Sequence, residues 1–372
     1  MRIGILTVPF NNNYGGLLQA YALKTVLTQM GNDVVFINRR RNPNKSFKVR
    51  VYKILVKIHL IPDFVNKRYR RLSVYTDIFK KKYLQPITEP YYSLRELRRV
   101  KEQKIDFYIV GSDQVWRYSY AEESICDYFF SFLDGDPTPR ISYAASFGTD
   151  ICDYPTTKLE HASKLLKQFR AISVREKSGC TLLHDNFSVP TKKVKVVLDP
   201  TLLIGTEQYV RIMGKRKMGK ENYIFTYVLD ENVIDDTTIN LVCQKYGLQR
   251  NDKKAQTGDL SKLEVIAPVE DWLLSIYHSE YVITDSFHGT VFSILYNKPF
   301  IVVANKERGT ARLNDLLSNF GLLDQLIGKL DKNNVKALFN VFDWTYVNER
   351  ISELRSESLA FLKGALNNKL GF

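Results

Sequence analysis

Short apolar runs alternate along most of the chain with stretches whose apolar positions recur every three or four residues. The runs at residues 3–8, 34–38, 106–110, 141–145, 171–174, 194–198, 223–229, 264–267, 281–284 and 300–303 predict strands. Helical spacing at 16–30, 156–169, 234–246, 272–278, 289–296 and 312–320 predicts the helices between them. Strands without clean alternation, separated by helices, belong to parallel sheets covered on both faces. There are too many for one such sheet, so the pattern predicts an α/β protein of two doubly wound, Rossmann-like domains. The break is placed at 176–192, where Gly179, Asn186 and Pro190 interrupt the periodicity. This gives units of 1–178 and 179–330, followed by a helical tail at 331–372. No internal repeat stands out.

Composition narrows the class. With 372 residues, 44% of them hydrophobic, the chain can bury two ordinary cores. No apolar run approaches the roughly 18 residues that cross a bilayer. The opening MRIGILTVPFNNN lacks the basic, apolar and small-residue pattern of a secretory signal. The four cysteines (Cys126, Cys152, Cys180 and Cys243) form no C-x-x-C pair, which fits reduced thiols better than disulfides or zinc. A cytoplasmic protein without a metal is expected.

The net charge of +14 is carried by one segment. Between Arg39 and Lys104 there are 20 Lys and Arg against five acids, while the rest of the chain has 34 against 35. Within that segment, Val51, Ile54, Leu55, Ile58 and Ile61 recur at helical spacing among Lys53 and Lys57. Three readings follow. The segment is a helical insertion with a solvated basic face, a helix docking on an anionic membrane, or a phosphate-neutralising arm for nucleic acid. No nucleic-acid module accompanies it, so nucleic acid is not an expected partner.

In open α/β sheets ligands sit beyond the carboxyl ends of strands, which selects the candidate chemistry. After the first strand comes NNNYGGLLQ, where Asn13, Gly15 and Gly16 open a helix that receives an anion or simply makes a tight turn. Asp113, in GSDQVW, is a sugar-hydroxyl acceptor, a general base or a helix cap. SYAASFG ends another strand in small residues, including Ser146, which admit a ligand or a backbone. Arg175 follows the apolar run ISV, where burial calls for an anion or a salt bridge. TDSFHGTVFS is the most informative run: Ser286, His288, Gly289 and Thr290 lie where a strand gives way to a helix, a place that favours phosphate and a titrating histidine. Arg308 and Arg312 flank Gly309 and add positive charge.

Other matches fail. GKRKMGKE imitates a phosphate-binding loop, but Glu221 replaces the Ser or Thr that holds magnesium. The acids of DGDP at 134–137 read as a turn.

Taken together, NNYGGLLQAYAL, GSDQVW, SYAASFG, ISVREKSG, VVLDPTLL and TDSFHGTVFSILYNKPFIVV resemble, in order, the polysaccharide pyruvyl transferase family. The resemblance spans most of residues 3–320 and leaves out the basic segment. It implies an architecture like that of B-type glycosyltransferases, and transfer of pyruvyl from phosphoenolpyruvate to a sugar of a cell-surface glycan precursor. It implies no metal or organic cofactor, with phosphoenolpyruvate as co-substrate and an acceptor that is lipid-linked in one version. Arg175 resembles the family's donor-contacting arginine, and His288 the histidine of its Arg-x-His signature. Ser286 stands at that signature's arginine position, and Arg312 is the expected replacement cation. The expected roles are His288 as general acid/base and Asp113 as acceptor-hydroxyl base or orienting group. Arg175, Gly289 and Thr290 are the expected donor anchors. Two rivals remain: a nucleotide-sugar transferase of the same architecture, and a non-enzymatic basic protein that binds glycan or membrane.

Overall fold

The computed structural model describes residues 1–41, 55–56, 64–215, 222–230, 234–254, 266–304, 310–330 and 340–368. Two parallel sheets organise the chain. The first has the order β2-β1-β3-β4-β5-β6. Its strands are β1 (Arg2–Leu6), β2 (Asp33–Phe36), β3 (Phe107–Asp113), β4 (Arg140–Ala145), β5 (Ile172–Val174) and β6 (Val194–Val196). The second has the order β11-β10-β9-β7-β8, from β7 (Tyr223–Val228), β8 (Gln249–Lys254), β9 (Tyr281–Thr284), β10 (Phe300–Val303) and β11 (Leu326–Ile327). Every pairing is parallel; Ile3 faces Phe107 across β1 and β3, for example. β3 and β4 are buried along their whole length, as strands covered on both faces must be.

Strand order reverses between β1 and β3 in the first sheet and between β7 and β9 in the second. Those are the places where a crevice opens at the carboxyl ends. Helix α1 (Tyr14–Gln29) follows β1 and buries Leu17, Leu18, Leu23 and Leu27 against the sheet. Helix α2 (Phe64–Tyr83) lies on α1 through Tyr21, Phe79 and Tyr83. The amphipathic run at 49–61 lies outside the described residues, apart from the helical pair Leu55 and Val56.

The domain boundary differs from the one expected. Helix α3 (Thr156–Leu166) joins β4 to β5, and α4 (Lys177–Asp185) is the crossover from β5 to β6. The first sheet therefore runs to Val196, well past residue 178. Gly179 is no linker: an added Cβ would lie 3.1 Å from Val174, so its small size lets α4 pack on β5. The change of sheet comes between β6 and β7, through α5 (Thr206–Met213).

The second sheet carries α6 (Asp236–Tyr246), α7 (Val269–Tyr277), α8 (Phe287–Leu295) and α9 (Ala311–Asn319). The expected strand at 264–267 falls partly outside the described residues, and Ile266 and Ala267 are not in a strand. The polar edge strand β8 and the two-residue β11 fall outside the predicted runs. The tail forms α10 (Trp344–Leu366). Phe342, just before it, meets Phe300 of the second sheet, while Ser358 and Ala365 bond to Leu198 and Arg170 of the first unit. One apolar core runs through both units, from Ile3 to Leu366.

Candidate active site

Four strand ends converge where the two units meet. β3 ends in Asp113, whose φ of 71° lies in the left-handed region that non-glycine residues seldom enter. The backbone is pinned there, since the Asp113 carbonyl accepts hydrogen bonds from Val115 and Ser146. Gly111, two residues earlier, has φ of 125°, and a Cβ there would lie 2.1 Å from the Tyr143 carbonyl oxygen. Only glycine fits. β5 delivers Arg175 and Glu176, and β6 leads to Asp199. Asp199 caps a single turn at Pro200–Leu202, its Oδ1 accepting from the amide and hydroxyl of Thr201 at 3.0 and 2.7 Å. From the second sheet, β9 ends at Thr284 and leads to Ser286, which caps α8 by accepting from the Gly289 amide.

Arg175 is the hub. It is almost wholly buried, with Nη1 2.8 Å from Asp199 Oδ2, Nη2 3.4 Å from Asp113 Oδ1 and Nε 3.6 Å from Glu176 Oε2. Its guanidinium also lies 4.2 Å from the Phe287 ring centre, over the face of the ring. Burial alone would lower the Arg175 pKa, but Asp199, Asp113 and Glu176 together hold it above the ordinary value. Asp199 is the converse case. Burial opposes its charge, yet His288, Arg175 and Thr201 keep its carboxyl far below the usual range, so it stays anionic. Glu176 is raised by burial, with Arg175 and the Ser146 hydroxyl offsetting only part of that cost.

His288 reaches this cluster across the seam. Its Nε2 lies 3.7 Å from Asp199 Oδ2, and its other face rests on the start of α1. A Cβ on Gly15 would sit 2.0 Å from His288 Nδ1, so the bare glycine makes room for the ring. Arg312, in the first turn of α9, lies over the same Phe287 ring, 5.9 Å from its centre. Burial and the Arg175 charge lower it to about 10. Among the described residues, Arg175 Nε, Arg312 Nε and His288 Nε2 are buried without a hydrogen-bond partner. Arg175 Nε and His288 Nε2 stand 3.6 and 3.7 Å from carboxylate oxygens of Glu176 and Asp199, whereas Arg312 has no carboxylate within salt-bridge distance among the described residues, a buried cation that is costly unless an anion completes it.

The sequence profile of the polysaccharide pyruvyl transferase family matches residues 13–307. The chain belongs to that family. A comparison with curated proteins finds no match. Among solved structures, the UDP-N-acetylglucosamine 2-epimerase from Rickettsia bellii is similar at a TM-score of 0.56 and 9% identity, over 99% of this chain and 97% of that one. The UDP-GlcNAc 2-epimerase from Neisseria meningitidis bound to UDP-GlcNAc gives 0.54 and 11%, over 99% and 100%. Arabidopsis thaliana UGT89C1 complexed with UDP-L-rhamnose gives 0.52 and 9%, over 99% of both chains. These likenesses speak for the fold, two doubly wound domains in the B-type glycosyltransferase arrangement.

Within the family chain, the structure brings Asp113, Arg175, His288 and Arg312 together. Asn13 caps α1 by accepting from the Gly16 amide at 3.3 Å, and Gly15 carries the histidine contact. Four predicted residues, Ser286, Thr290, Ser146 and Gly289, are engaged in the scaffold. The Ser286 hydroxyl is spent on its cap, and Thr290 donates back to the Ser286 carbonyl. Ser146 donates to Glu176 and accepts from Gly148. The Gly289 amide is occupied by Ser286, and a Cβ on Gly289 would lie 2.5 Å from Thr284 Oγ1. Asp285 accepts from the amides of Leu229 and Asp230 and so ties β9 to the end of β7. Arg308 lies outside the described residues.

Sequence reasoning passed over Asp199, Glu176 and Ser112, whose hydroxyl donates to Asp199 at 3.3 Å. The signal for Asp199 was available: an acid before proline at the end of an apolar strand obeys the same carboxyl-end rule that selected Arg175. Among the described residues, no group of three or more His, Cys, Asp or Glu is arranged to hold a metal ion.

Proposed function

We propose that this family member moves the pyruvyl group of phosphoenolpyruvate onto two hydroxyls of a sugar in a cell-surface polysaccharide precursor, forming a ketal. The observation that carries this reading is the buried Arg312, which has no hydrogen bond at Nε and no carboxylate partner among the described residues, gathered with Arg175 and His288 around Phe287. Phosphoenolpyruvate is a small dianion-bearing carboxylate, and guanidinium forks bind carboxylate and phosphate well. Arg312 supplies the cation that Ser286 does not.

In the proposed reaction His288 delivers a proton to the methylene carbon of the donor, which makes the adjacent carbon electrophilic. One sugar hydroxyl adds there and loses its proton to Asp113. The second hydroxyl then forms the other C–O bond and gives its proton to the now neutral His288 as the C–O bond to phosphate breaks, so phosphate leaves, taking the proton held by Asp113, and the ketal closes. Asp199 acts as a positioning residue, since one carboxylate fixes Arg175 from its own domain and faces His288 from the other. Low dielectric makes such preorganised charges effective.

The basic stretch from Arg39 to Lys104 supports a peripheral location at an anionic membrane. On α2, Val74, Tyr75 and Ile78 are exposed, with Lys81 and Lys82 following. No helix among the described residues is long and apolar enough to cross a membrane.

The test is thermal stability with phosphoenolpyruvate, inorganic phosphate and UDP-sugars. A ligand at 100 times its Kd stabilises the native state by about 2.7 kcal/mol. Phosphoenolpyruvate is expected to raise Tm, and Arg175→Ala and Arg312→Gln to abolish the rise. A rise with a UDP-sugar and none with phosphoenolpyruvate would transfer the reading to a nucleotide-sugar enzyme.

A further inference from the structure

A cavity of about 430 Å³ opens on the first domain beside the β1–β3 reversal. Its lining includes Asn13, Gly16 and Asp113, so it adjoins the candidate active site directly. Phe10, Tyr120 and Tyr128 give it aromatic walls. Its volume falls in the roughly 300–1,000 Å³ range of small-molecule sites.

Three consecutive arginines also line it, and they are not equivalent. Arg39 is buried and spends its charge on Asp127 at 2.7 Å. Arg40 Nε donates to the Asn38 side-chain oxygen at 2.9 Å. Arg41 Nη2 donates to the carbonyls of Ser119 and Tyr120 at 3.3 and 2.6 Å. Arg40 and Arg41 thus have neutral partners, and among the described residues no carboxylate pairs with either. The acid lining this cavity, Asp113, is already committed to Arg175. The cavity therefore holds two uncompensated cations. The backbone that presents them is anchored, with the Arg40 amide bonded to the Tyr91 carbonyl and Arg39 bridged to Tyr91.

We infer that this cavity is the acceptor subsite and that it selects an anionic acceptor, a sugar carried as a phosphate or diphosphate ester. The sugar ring stands against Asp113 while the ester phosphate meets Arg40 and Arg41, whose forked donors match phosphate oxygens. The placement of the reacting end rests on the pyruvyl-transfer reading; the selectivity for an anion rests on the arginines alone.

Calorimetric titration of the full-length protein tests it, with hexose 1-phosphates each set against the corresponding free hexose. The phosphorylated form is expected to bind at least about tenfold more tightly, a difference of about 1.4 kcal/mol. Arg40→Gln combined with Arg41→Gln erases that preference. Arg41→Gln alone, at an exposed side chain, serves if the pair fails to fold, and lowers the preference severalfold. Equal affinity for free and phosphorylated hexose, no binding of any hexose phosphate, or a preference that survives the substitutions overturns the inference. UDP-hexose and polyprenyl diphosphate-linked hexose form two further arms, and an Arg40/Arg41-dependent gain with either supports the subsite and identifies the carrier. Phosphoenolpyruvate is titrated separately. Hexose phosphates binding through Arg40 and Arg41 without any response to phosphoenolpyruvate would leave the subsite standing and remove the pyruvyl-transfer reading. The reverse pattern removes the subsite alone.

Discussion

At Gly15 a single hydrogen in place of a methyl decides whether His288 can occupy the seam. Gly15→Ala puts a carbon 2.0 Å from His288 Nδ1, so the ring must turn away or the domains must part. Misplacement on the ångström scale costs about 10²-fold in turnover, which steady-state kinetics on a correctly folded variant will register. Asp199 gives a second expectation, with a sign. Its folded pKa is depressed, so its stabilisation is present above the ordinary value of 3.8 and is lost as pH falls toward the folded value. Asp199→Asn leaves Arg175 short of a buried partner and is expected to cost about 3–5 kcal/mol at neutral pH in urea unfolding. That gap narrows in acid. Glu176 runs the other way. Its folded pKa is raised, so stability declines as pH rises from 4.5 toward the folded value. Glu176→Gln removes this decline, and the variant should gain on the parent in melting experiments as pH rises through that window.

At the scale of elements, the apolar strands and the helices with clear periodicity were legible in the sequence. β1, β3, β4, β9 and β10 lie where the apolar runs place them, because strands buried on both faces leave an unmistakable composition. β8 was not legible, since QRNDKK has no apolar periodicity and forms a strand only by pairing along β7 at the sheet edge. α4 falls in the expected break because Gly179, Asn186 and Pro190 interrupt the periodicity there, whereas Gly179 serves close packing on Val174. The site was half legible for a related reason. The carboxyl-end rule selects Asp113, Arg175 and His288 one at a time, but no local pattern says that Arg175 pairs with Asp113 across 62 positions. The same limit hid what α10 does for β6. Ser358 Oγ accepts the Leu198 amide, one residue before Asp199. Ser358→Ala orphans that buried N–H and is expected to cost about 1–3 kcal/mol, measurable by denaturant titration.

At the scale of the molecule, the two units are joined by more than a hinge. Tyr14 of α1 stacks on Trp272 of α7 at 5.3 Å and donates to the Ala267 carbonyl at 2.8 Å. α10 buries Val347, Ile351, Phe361, Leu362, Ala365 and Leu366 along its length. Deleting α10 should therefore leave apolar surface bare on the first unit as well as the second, and sedimentation is expected to find aggregates. There is also a consequence in time. Leu198 and the serine that receives its amide are 160 residues apart in the chain. Synthesis at roughly 5–20 residues per second separates their emergence from the ribosome by about 8–30 s. During that interval the N-terminal half has all six strands of its sheet and lacks the serine that receives the Leu198 amide.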